Sequence, residues 1–377
     1  MPRKIGGYRR LTNNLSGVSR GVSVLDQSSY SYIASGWSGG LDQLQININA
    51  VPSIVSNRTP VGFVADPNNC WQFDSLFDAT SATVVLVAHA APNLTDIGNT
   101  TAQAVWAGDF TSTAPLTSTG SMVSGGACVV QPYLTTFGTA GTINWSVPNK
   151  PYDFAGSGSG TARISGQKIV RGLPIRGGAG NAPAAIYWSL DMLLRMSFIG
   201  GTAFFQFDTL SSQSTILSPM SALEYDGIYY WAGADRFLMF NGVMQEVPNN
   251  MNINWFFDNL NNNAAQKVFA FKNTRWGEIW WCFPFGNATE CTNALIYNVR
   301  ENSWYDTLLP SNFRTAAHES TTFRSPIMTS ADVDVITKSY KLWQHEYGVD
   351  AIDGNSVTAI NSYFETAVIS APGGSLG

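Results

Sequence analysis

Three imidazoles, His89, His318 and His345, are all that 377 residues offer for acid–base or metal chemistry centred on histidine. Two of them precede a glutamate, as His318-Glu319 and His345-Glu346. On a strand adjacent side chains point to opposite faces, so neither pair converges on one ion. No HExxH helix, GxSxG elbow, Walker or kinase signature occurs. A glycosidase would need paired carboxylates at a defined separation. The acids here are scattered: Asp109, Asp191, Asp208, Glu224, Asp226, Asp235 and Glu246. Glu224-Tyr225-Asp226-Gly227 is the densest group, and it reads as a turn entering an apolar strand. Cys70, Cys128, Cys282 and Cys291 lack CxxC spacing, which argues for buried thiols rather than a zinc site or a disulfide framework. The glycine runs at 156–160 and 177–180 are not followed by a P-loop Lys-Ser/Thr, and they read as loops. The expectation is a chain with no catalytic residues, no cofactor and no metal.

One basic row stands apart. Arg163, Lys168, Arg171 and Arg176 fall within a short stretch of an otherwise acidic chain of net charge −5. They are expected at a subunit interface, the alternatives being a charge-guarded sheet edge or a DNA contact. DNA binding on a broad front is disfavoured, since 21 basic residues against 26 acids do not neutralise a run of phosphates.

The elements that must carry these residues are strands. Charged residues make up 12% of the chain, about half the usual share, and its polarity rests instead on Asn, Ser, Thr and 35 Gly. Such residues favour turns over helix interiors. Strand-like runs lie at 44–48, 83–88, 127–130, 185–188, 192–198, 203–207, 227–231, 237–240, 267–271, 278–283, 294–297 and 340–343. Asn241-Gly242 between two apolar runs predicts a tight type I′ hairpin. A second hairpin is predicted across 298–303. One helix is predicted where Ile253, Phe256, Phe257 and Leu260 share a face, with Asn252 or Asn254 as cap.

Paired strands ending in an aromatic recur at Trp145, Phe207, Phe240, Tyr297 and Trp343, with a spacing that averages near a propeller blade. We therefore expect an all-β protein, a β-propeller of about six blades with a short helix. Residues 1–60 would be an irregular arm or closing strand, 61–350 the propeller, and 351–377 a C-terminal strand or tail. The basic N-terminus has no apolar run behind it, and no stretch has the length of a membrane span, so a chain made in soluble form without stable membrane insertion is expected.

Several long runs carry a family likeness. They are RISGQKIVRGLPIRGG (163–178), YWSLDMLLRMSFIGG (187–201), SALEYDGIYYWAGADRFLMFNG (221–242), EVPNNMNINWFFDNLN (246–261), RWGEIWWCFPFG (275–286), ECTNALIYNVRENSWYD (290–306) and LWQHEYG (342–348). A weaker likeness runs through 61–80. Together they resemble the tail nozzle, or packaged-DNA stabilisation, proteins of short-tailed bacteriophages. That resemblance implies a β-propeller subunit of a six-fold homo-oligomeric ring in the virion tail, made in the host cytoplasm. The ring would retain and then conduct double-stranded DNA without sequence-specific binding, beside an adaptor, fibre or plug protein. It implies no catalytic residues. Two other readings stay open: a glycan-binding adhesin whose twelve Trp stack sugars, and a polysaccharide-degrading propeller using Glu224 or Asp226.

Overall fold

The computed structural model describes residues 6–27, 30–47, 52–93, 96–164, 166–175, 182–248, 254–310 and 313–361. The chain is 56% strand and 6% helix and forms a β-propeller. Six antiparallel sheets of four strands follow one another along the chain, over residues 19–57, 70–123, 126–163, 169–211, 223–246 and 269–308, here blades 1 to 6. A further sheet of six strands holds both ends of the described chain. Its first three strands are Ala316–Ser320, Ser325–Val333 and Tyr340–His345, and its fourth is Tyr8–Leu15 from the N-terminal end. The hairpin Asp350–Asp353 and Ser356–Ala359 is added outside that fourth strand.

The first strand of each sheet lies innermost, and successive first strands are neighbours around one axis. Between blades 4 and 5 the contact runs through the turn Pro219–Ser221. The ring closes where Ser19–Gln27 meets Ala316–Ser320. Inner strands crowd at an axis, and two glycines permit the approach. A Cβ on Gly21 would sit 2.3 Å from the Trp71 carbonyl oxygen, and one on Gly125 would sit 2.0 Å from that of Ile169.

Every pair of adjacent sheets encloses its own apolar cluster, so the core is a set of wedges rather than one mass. Alternation along each strand supplies both faces of a wedge. Trp188 of blade 4 meets Trp231 of blade 5 edge to face at 5.6 Å. Phe237 of blade 5 meets Trp281 of blade 6 at 4.7 Å. Such aromatic pairs add about 1 kcal/mol each beyond the area they bury.

Two sequence expectations change in detail. Residues 1–60 include the closing strand, as expected, but 19–57 form a complete blade rather than an arm. Six four-stranded blades form, matching the expected count, and the six-stranded closing sheet joins the two ends of the described chain. The Asn241-Gly242 hairpin forms, yet Phe240 pairs with Met244, leaving a three-residue loop with Gly242 at φ 110°. Asn241 avoids the positive φ that a type I′ turn would demand of it. The helix spans Asn254–Asn259 and buries Phe256 against Phe237 and Phe283; Ile253 and Asn252 lie outside the described residues. Of the predicted tail, 351–361 carries most of the added hairpin, and the rest is not described.

Candidate functional site at the propeller axis

Where the inner strands begin, the axis gathers basic side chains from distant parts of the chain. Arg20 comes from blade 1, Lys168 and Arg171 from the start of blade 4, and Lys267 from the turn before blade 6. Glu290, from the loop between the second and third strands of blade 6, is the carboxylate paired with two of them. Arg20 donates to both its oxygens, at 2.7 and 2.6 Å, and Lys267 donates to Oε1 at 2.9 Å. Burial pushes the Glu290 carboxyl up, but the hydrogen bonds and charges of Arg20 and Lys267 outweigh it and hold the group below the usual range. The bidentate Arg fork is the stronger of the two contacts.

Among the described residues the other two cations have no such partner. Lys168 is 6% exposed and donates to the Asn99 carbonyl at 2.6 Å. Burial lowers its ammonium to about 8, with Asp96 pulling the other way. Arg171 points Nη1 at the Met220 sulfur, 3.9 Å away, and its buried Nε has no hydrogen-bond partner among the described residues. Burial lowers its guanidinium too. Cys70 sits among them. Burial raises its thiol to about 11 despite Arg171, Arg20 and Lys168, so it stays a neutral thiol at pH 7.

Two small cavities flank Cys70. One, of about 20 Å³, is lined by Arg20, Lys267, Gln266 and Met220. The other, of about 10 Å³, is lined by Lys168, Asn93 and Gly125. The first admits one or two water-sized bodies and the second scarcely one.

The predicted basic row does not come together here as one interface patch. Arg163 ends the outermost strand of blade 3, exposed, with Nε donating to the Ala140 carbonyl at 3.2 Å. Five residues later the chain has crossed from that outer edge to the axis, where Lys168 and Arg171 stand. The crossing covers a blade's width, roughly 14 Å from three strand spacings. Arg176 lies outside the described residues. Sequence reasoning missed Arg20, Lys267 and Glu290, because nothing local marks them; their proximity is created only by ring closure.

The other candidates resolve as follows. Glu224 accepts from the Gly227 amide at 2.6 Å across a turn in which Asp226 takes φ 50°, the turn reading made from sequence. His89 is fully buried in blade 2, with Nε2 3.1 Å from the Val123 carbonyl. His345 accepts from Arg314 Nε at 2.9 Å. The four cysteines are buried and free. Among the described residues no group of three His, Cys, Asp or Glu side chains is placed to hold a metal. The twelve Trp offer little for sugar stacking: nine are buried, and Trp37, Trp255 and Trp276 are half-buried. Among the described residues no helix is long and apolar enough to cross a membrane.

No protein-family model matches this sequence, and no curated protein matches it. Among solved structures the chain is similar to the computationally designed Ika8 protein, with a TM-score of 0.42 and 11% identity over 89% of this chain and 99% of that one.

Proposed function

We propose that this chain is a structural subunit of a short phage tail, copies of which form a closed ring that retains the genome and then conducts it at ejection. The family likeness spread over 61–348 motivates the reading. The structural observation that supports assembly is a concentration of exposed apolar side chains on one sheet. Val333, Val335, Ile336, Tyr347, Val349 and Val357 all lie on the closing sheet or its loops and are exposed. Isolated surface hydrophobes are ordinary; here Val335 and Ile336 follow one end of the sheet's strands and Tyr347 and Val349 the opposite end, so the sheet offers apolar side chains at both ends of its strands. Ser356–Ala359 is also the last strand of that sheet and exposed along its length, an edge available to a neighbour.

Head-to-tail contacts close into a ring when the rotation per subunit divides a full turn. In this reading the conduit is the space the ring of subunits encloses. A lumen built from an acidic chain makes few phosphate contacts that would slow DNA. The partners are then a second copy of this chain on each side, other tail proteins such as an adaptor, fibre or plug, and passing double-stranded DNA.

Ile336→Asp tests the contact surface. Ile336 is 86% exposed, so the change should leave monomer stability within about 0.5 kcal/mol. Mass photometry of the purified chain is expected to show a single closed oligomer for the unaltered protein and monomer for the variant. A variant that assembles as well as the unaltered chain would remove this surface from the interface.

A further inference from the structure

The N-terminal strand Tyr8–Leu15 is not an edge of the closing sheet. It stands between Tyr340–His345, to which it is antiparallel, and Asp350–Asp353, to which it is parallel. Those flanking strands are consecutive in the chain, so residues 346–349 cross the N-terminal strand where it enters the sheet. The crossing is tight. The Gly7 amide donates to the Gly348 carbonyl at 2.8 Å, and the Tyr347 amide donates to the Gly7 carbonyl at 2.9 Å. A Cβ on Gly7 would sit 2.3 Å from the Asp350 carbonyl oxygen and 2.6 Å from that of Tyr347. Side chains fasten the crossing on both sides. Trp276 Nε1, from the first turn of blade 6, donates to Glu346 Oε2 at 2.8 Å, and the Arg9 guanidinium lies over the Tyr347 ring at 4.0 Å.

The hairpin that follows is held more lightly. Asp350–Asp353 meets the N-terminal strand at two residue pairs, Tyr8↔Ala351 and Arg9↔Ile352. Its residues are half-buried, and Ser356–Ala359 is exposed along its length. A two-stranded hairpin with so little burial is marginal by itself. Its far end is fixed by charge: Asp353 takes Arg10 at 2.6 Å and Lys341 at 3.1 Å, with 38% of its side chain exposed. Ion pairs so placed are weakened by salt.

We propose that 346–359 is a two-part clasp on the ring closure: the crossing at 346–349 stays fixed on the N-terminal strand, while the hairpin 350–359 opens from it as one unit, released by salt, without opening the ring. The division follows where the energy lies. Opening the hairpin breaks two backbone pairings and two screened ion pairs and uncovers little apolar surface. Unseating the N-terminal strand breaks its five pairings with Tyr340–His345 and uncovers Leu15, which is 0% exposed when seated. So uneven a distribution produces local opening below the global free energy. The open hairpin bares the outer edge of Tyr8 and Arg9, so in its closed state it is a removable guard of that edge.

Hydrogen exchange of the full chain, read by mass spectrometry across sub-denaturing urea, tests this. Amides of 350–359 are expected to exchange through a small opening nearly independent of urea, whereas those of 8–15 and 340–345 exchange through the urea-dependent global step. Raising sodium chloride to about 1 M, where the screening length is about 3 Å, should speed exchange of 350–359 about fivefold and leave 8–15 unchanged. Asp353→Asn should give the same gain in low salt and remove the further response to salt. Gly7→Ala, which forces the crossing aside, should speed exchange across 346–349 about tenfold. If that variant does not fold, the unaltered chain and Asp353→Asn decide. Exchange of 350–359 only in step with 8–15 overturns the proposal, as do rates unmoved by both salt and Asp353→Asn, or an unchanged crossing in folded Gly7→Ala.

Discussion

Removing 6–15 is expected to abolish the cooperative unfolding transition, leaving a soluble aggregate or a state without fixed packing. This strand is the fourth of the closing sheet. It pairs antiparallel with Tyr340–His345 through Tyr8↔His345, Arg9↔Gln344 and Arg10↔Trp343. Leu15 is 0% exposed and joins Val22, Ile33, Ile327 and Leu342 in the wedge between blade 1 and the closing sheet. Tyr8 packs edge-on to Trp343 at 5.4 Å. Without the strand, the wedge opens and the third strand of the sheet becomes a free edge. A milder variant separates closure from chain length: Leu15→Ala should cost about 3 kcal/mol through lost burial and the cavity left behind. Urea denaturation followed by tryptophan fluorescence measures both. A deletion variant that melts as one transition near the unaltered midpoint would show that the ring does not depend on this strand.

Acid should act on the closing sheet through His345 and on blade 2 through His89. His89 is fully buried, and burial lowers its imidazole to about 4 from 6.5. His345 accepts from Arg314 Nε, and burial together with the Arg314 charge lowers its imidazole well below the ordinary value. Groups whose folded values are depressed bind fewer protons folded than unfolded. Stability is therefore full above pH 6.5 and declines as pH falls from there toward the folded values. For His89 the loss reaches roughly 3 kcal/mol by pH 4. His345 adds to it, and its protonation sets a second cation against Arg314 beside Tyr8 of the closing strand. Asp42 and Glu346, both raised by burial, take up protons more readily folded than unfolded and offset part of the loss. His345→Gln keeps an acceptor for Arg314, so it should flatten the decline between pH 6.5 and 5 in denaturation measured across pH. An unchanged slope in that variant and in His89→Gln would show that these imidazoles are not the acid-sensitive groups.

Much of this architecture is written in local chemistry. Trp145, Phe240, Tyr297 and Trp343 do mark blades, because each lies on the third strand of its sheet, where a large ring fills the wedge. Phe207 lies on a fourth strand, which is one reason the spacing looked irregular. Blade 1 was hidden for the same reason: its third strand, Gly40–Asn47, carries no aromatic. The helix face at Phe256, Phe257 and Leu260 was legible from its period. The axial cluster was not. Residues 20, 70, 168, 171, 220, 267 and 290 are brought together only when the ring closes, and no spacing along the chain encodes that. In the row that begins at Arg163, sequence neighbours part across the width of a blade: Arg163 stands at an outer edge and Lys168 and Arg171 near the axis.

The reading of the chain as a ring subunit meets its most direct test in a reconstruction of the virion that carries it, with the number of copies counted per particle. The account expects six copies in a closed ring on the tail axis, their closing sheets in subunit contacts, around a lumen that passes a DNA duplex once open. Copies placed off the axis, or a ring whose lumen never widens enough for a duplex, would contradict it.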